Sequence, residues 1–172
     1  MKNNIRKTAL SSLLSALVVV LIVLGTFVDI LDITVAAVCT LIIHIAQIEV
    51  KGKYPILVYI TSSVLALVFT PLSTATIYFI GFFGYYPIIK QKMSKMKRIT
   101  RKLICFAIFN VVMCLMMLLF KTVFALQNEP VEIYLALLVT LNVFFLCFDY
   151  LLDVFVFIYV KKIRNKIKFL NR

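Results

Sequence analysis

Between Tyr54 and Ile89 lie 36 consecutive residues without a charge. As one helix at 1.5 Å per residue the stretch would be ~54 Å long, against a hydrocarbon core of ~30 Å. It is too apolar for water and too long to cross a bilayer as a rod, so it must fold back on itself. The turn is expected at Thr70-Pro71-Leu72-Ser73, because Pro71 disfavours helix at the residue before it and is well placed to open the next one. Two spans follow, roughly 54–70 and 72–89.

The rest of the chain has the same character. It is 63% apolar and only 15% charged, whereas a soluble domain is closer to half apolar and one quarter charged. Its solvent is lipid. Residues 8–28, 33–50, 103–121 and 131–160 each supply a further apolar run, interrupted at most by a few polar groups. The run at Ala9–Gly25 follows a basic start but is too long for the core of a signal peptide, and it reads as a retained first helix.

Charge gives these spans a direction. The formal net charge is +12, which in a soluble protein would suggest nucleic acid. Here the Lys and Arg sit in short loops and tails between apolar runs, a pattern that points to anionic lipid headgroups and excludes nucleic acid as a partner. Six spans place 18 of the 19 basic residues on one side, including all seven in Lys90–Lys102, and leave only Lys121 on the other. Basic loops stay in the cytoplasm. The expectation is an all-α integral membrane protein of the cell membrane, with six transmembrane helices in one bundle, a single domain over 1–172 and both termini cytoplasmic.

Few residues in these spans carry chemistry. Cys39, Cys105, Cys114 and Cys147 show neither CxxC nor Cys/His spacing, so neither a disulfide framework nor a metal site is expected. P-loop, HExxH, GxSxG and GxGD patterns are absent, which argues against an enzyme and implies no cofactor. Asp149 and Asp153 are four residues apart on one face of the last span, and Asn142 lies two turns outward on a similar face. A carboxylate at membrane depth faces a bundle interior and fits either a functional or a structural role. Counted from the expected span ends, His44, Asn110 and Asp153 each lie ~10 Å from the cytoplasmic boundary and could share one polar layer, with His44 donating to Asp153. Gly81 and Gly84 permit close helix approach beside the interfacial Tyr85 and Tyr86.

The first span begins with Ser11, Ser12, Ser15 and Ala16, two small-xxx-small pairs at 11/15 and 12/16. Such pairs let a second helix approach closely, within this bundle or from a partner. Together with the size, span count and orientation, Ser12-Leu13-Leu14-Ser15-Ala16 resembles the docking helix of the substrate-binding S components of energy-coupling-factor transporters, with Ser12 where their A-x-x-x-A motif has its first Ala. The resemblance implies capture of a small nutrient from the outer side, and a membrane coupling subunit and ATPases as partners. It also implies docking through Ser12 and Ala16, and ligand contacts among Asp29, Asp32, Glu132, Asn142 and Asp149. Two other readings stay open: a non-transporting accessory or assembly protein, and a small proton-coupled carrier using Asp149 and His44.

Overall fold

The computed structural model describes residues 2–28, 31–50, 52–71, 73–123 and 131–163. Among them the chain is all-helical. The elements are α1 (Lys2–Gly25), α2 (Asp32–Glu49), α3 (Tyr54–Phe69), α4 (Thr74–Tyr78), a π-turn (Phe79–Phe83), α5 (Tyr86–Lys92), a 3₁₀ turn (Met93–Lys95), α6 (Arg98–Val123), α7 (Val131–Ile158) and a final π-turn (Tyr159–Ile163). Four helices are long and apolar enough to cross a membrane, within Asn4–Gly25, Asp32–Glu49, Ile99–Leu118 and Leu138–Lys162. Contacts divide the chain into two compact units, Met1–Cys105 and Phe106–Arg172.

The first unit is built around α2, which touches α1, α3, α4, the π-turn and α5. Small residues make this possible: Ala36 and Ala46 of α2, Ala66 of α3 and Ala75 of α4 are completely buried, and they let helix backbones approach where larger side chains would hold them apart. Gly52, at a φ of +69°, makes the turn into α3, a conformation that costs glycine nothing.

The charge-free stretch folds back where Pro71 places the break. α3 ends at Phe69, Thr70 leaves the helix (φ −135°, ψ 65°), Ser73 is extended, and α4 starts at Thr74. Thr70 Oγ1 and Thr76 Oγ1 share a hydrogen bond of 2.8 Å across the turn. Further down, the Tyr59 ring packs 6.0 Å from Phe79 and 6.1 Å from Tyr85. Residues progressively earlier in α3 thus meet residues progressively later after the turn, as in an antiparallel hairpin. α3 itself has 16 residues, ~24 Å of helix.

The returning arm departs from the single helix expected over 72–89. It is helix, π-turn and helix, running to Lys92. Pro87 is the first cause: it has no N–H, so the carbonyl four residues back, Phe83 O, loses its helical partner. Thr40 of α2 supplies one instead, its hydroxyl donating to Phe83 O at 2.9 Å. Gly84 N–H, which an α-helix would direct to Ile80 O, reaches Phe79 O at 2.7 Å, and Tyr59 OH donates to Ile80 O at 3.0 Å. Only glycine fits at 84, since a Cβ there would stand 2.5 Å from the Tyr59 ring.

The basic stretch 90–102, expected as a loop, is mostly helical, with α5 continuing to Lys92 and α6 starting at Arg98. Lys, Arg, Gln and Met are good helix formers, so charge alone does not interrupt a helix here. In the second unit α6 and α7 pair antiparallel. Phe109 stacks on Phe145 with centroids 4.4 Å apart and rings 16° from parallel. Asn110, next to Phe109, faces Asn142, about one turn from Phe145 on α7.

Candidate functional site

Between α1 and α3 runs a groove of about 400 Å³, with Ser12, Ala16, Tyr54, Leu57, Thr61 and Leu65 among its walls. The two helices are parallel and in fixed register. Ser15 Oγ and Thr61 Oγ1 are hydrogen-bonded at 2.8 Å, a sequence offset of 46, and the same offset relates Thr8 to Tyr54, both of which line the groove. α1 approaches α3 along one of its two small-residue pairs. Ser11 and Ser15 are buried, and each hydroxyl also donates to the carbonyl four residues back, Lys7 O at 2.8 Å and Ser11 O at 3.0 Å. The second pair, Ser12 and Ala16, is exposed. One residue is a rotation of 100° on a helix, so 12/16 faces out while 11/15 faces in. Its surroundings are apolar and exposed as well, with Leu13, Leu17, Leu57 and Leu65 open to the surface.

The expected ligand contacts fall in different places. Asp32 opens α2 and is buried. The Thr70–Thr76 pair adds hydroxyls in the same unit. Asp29 lies outside the described residues, as does the side chain of Glu132. Asp149 is buried in the second unit, two turns beyond Asn142 on α7, and Asp153, one turn further, is half-buried.

Asn110, expected to share a polar layer with His44 and Asp153, is bonded to Asn142. Asn110 Nδ2 donates to Asn142 Oδ1 at 2.9 Å, Asn142 Nδ2 returns a bond to Asn110 Oδ1 at 3.0 Å, and each amide also donates to its own helix, at Phe106 O and Leu138 O. Asn110 therefore stands level with Asn142, and Asp153 is eleven residues or ~16 Å further along α7. α6 begins at Arg98, five residues before the start expected for this span. In the first unit, His44 Nδ1 lies 2.7 Å from Gln47 Oε1, one turn along its own helix, and Gln47 is buried with its Nε2 unpaired among the described residues.

Sequence reasoning passed over Thr40 and Tyr59, the two side chains that hold the broken arm. A signal existed: Pro87 announces an orphaned carbonyl at Phe83, and a membrane-embedded carbonyl needs a donor. Comparison with family models, with characterised proteins and with solved structures finds no match for this chain. Its class thus rests on its own features: among the described residues it is all-helical, with four helices long and apolar enough to cross a membrane.

Proposed function

We propose that this chain is a six-crossing membrane protein with both ends in the cytoplasm, working as a docking subunit of a larger membrane assembly that it meets through α1. The segregation of basic residues supports the topology, and the 54–92 hairpin supplies two crossings beside the four long helices. Its short α3 is accommodated by local thinning of the bilayer. The observation that carries docking is the division of the small-residue stripe. Ser11 and Ser15 are spent on α3, while Ser12 and Ala16 remain exposed on the wall of a groove of about 400 Å³. Small residues four apart are what close helix approach requires in lipid.

The resemblance to S components makes an uptake transporter the first assembly to test, with this chain capturing a small nutrient and a membrane subunit and ATPases supplying the work. Asp32 and Asp149, both buried, are the side chains to examine for capture. A second reading, a non-transporting accessory protein, is favoured by the Asn110–Asn142 pair, which commits both amides to each other and to the backbone.

The test is affinity purification of the tagged chain from its native membrane, compared with the Ser12→Leu/Ala16→Leu variant. A stoichiometric partner, lost from the variant while the fold is retained, supports docking. ATPases among the partners select the transporter version. Equal partner recovery from both proteins removes the docking face.

A further inference from the structure

The α1/α3 register brings Lys7 and Lys53 level at one end of the groove. They follow the register that pairs Thr8 with Tyr54 and Ser15 with Thr61, and each is the residue next to the groove's last lining pair. Arg6 and Lys53 are exposed and Lys7 is half-exposed. Glu49, at the end of α2, is the single acid in residues 33–128, and residues 1–28 contain none. The body of the groove is different in kind. Its walls are largely apolar, and the serine and threonine hydroxyls among them return hydrogen bonds to their own helices. An occupant must therefore be apolar along most of its length and anionic at one end.

We propose that the groove holds an acyl chain of an anionic phospholipid from the leaflet on the basic side, with the headgroup phosphate between Lys7 and Lys53. This does not depend on the docking reading, since it concerns the chain alone in a bilayer. Where a partner helix docks against Ser12 and Ala16, it displaces this lipid. The volume of about 400 Å³ lies in the range of small-molecule sites. A chain lying there covers groove walls that a bulk lipid, tumbling past, leaves poorly packed. Tyr54, at the basic end of the groove, sits where an aromatic ring meets the headgroup level.

Selectivity comes from the two lysines. Basic residues near an anionic membrane surface each contribute about 1 kcal/mol, so two of them favour an anionic over a zwitterionic headgroup by roughly tenfold or more. Native mass spectrometry of the full chain in mild detergent, titrated with phosphatidylglycerol or phosphatidylcholine of matched acyl chains, reads this directly. The expected result is a single retained phosphatidylglycerol at roughly tenfold lower lipid concentration. In the Lys7→Gln/Lys53→Gln variant, whose changes lie outside the packed interior, the two lipids should bind alike. Ala16→Phe, which fills the groove, should lower retention of both lipids. Equal retention of the two lipids by the native chain overturns the proposal, as does an anionic preference that survives the double Gln variant.

Discussion

The hydroxyl of Thr40 takes the place of a backbone N–H that Pro87 lacks. It lies on α2, 43 residues before the carbonyl it serves, and its 2.9 Å bond to Phe83 O is what lets a proline stand inside an apolar arm. In lipid no water would satisfy that carbonyl, so the interruption is tolerated only with a donor from a neighbouring helix. Tyr59 does the same for Ile80 O. The broken arm is thus pinned on two sides, by α2 and by α3.

Thr40→Val removes that donor and should cost about 1–3 kcal/mol, the penalty for stranding a buried carbonyl. Pro87→Ala returns the missing N–H. Thermal unfolding in detergent should therefore show Pro87→Ala to be more favourable by about 1 kcal/mol in the Thr40→Val background than in the native one. Strictly additive effects would mean that the two residues do not share the carbonyl.

Gly84→Ala should destabilise the first unit by about 1–3 kcal/mol, because the new methyl would be driven into the Tyr59 ring. Its effect should shrink when Tyr59 is also replaced by Leu. An unchanged melting temperature for Gly84→Ala alone would contradict the close packing of the hairpin.

The amides of Asn110 and Asn142 make the same kind of argument for the second unit. Replacing either alone by Leu leaves the other half-buried amide without its partner, while replacing both removes the need. The coupling in a double-mutant cycle should be about 0.6 to 1.7 kcal/mol, the range that interhelical hydrogen bonds show in membranes. A cycle that closes to zero would sink the pair as a structural device.

Much of this was readable from residue order alone, and the parts that were not have a common cause. Pro71 announces the break at Thr70–Ser73, and the charge-free run demands it. The small residues at 11, 12, 15 and 16 announce close approach by α1. Which pair faces inward was hidden, because two registers 100° apart are equally small and only the position of Thr61 decides between them. The partner of Asn110 was hidden for a related reason: which residues of α6 and α7 lie level is set by packing between them, as at Phe109 and Phe145. Thr40 has no local mark at all, since the carbonyl it serves lies in another helix.

Topology reporters give a separate check on the proposed crossings. Fusions at 52 and 96 should read cytoplasmic and fusions at 71 and 128 external, following the 18 of 19 basic residues that six spans place inside. An external signal at 96 would reverse the chain and, with it, the leaflet assigned to the groove.

Docking through α1 is the central claim, and site-specific photo-crosslinking in intact cells tests it most directly. A photoreactive side chain is placed at Ser12 or Ala16, with Val143 as an exposed apolar control on the second unit. The account predicts one discrete adduct with another membrane protein at both α1 positions and not at the control. Lipid adducts alone at 12 and 16, or the same protein adduct at 143, would contradict it.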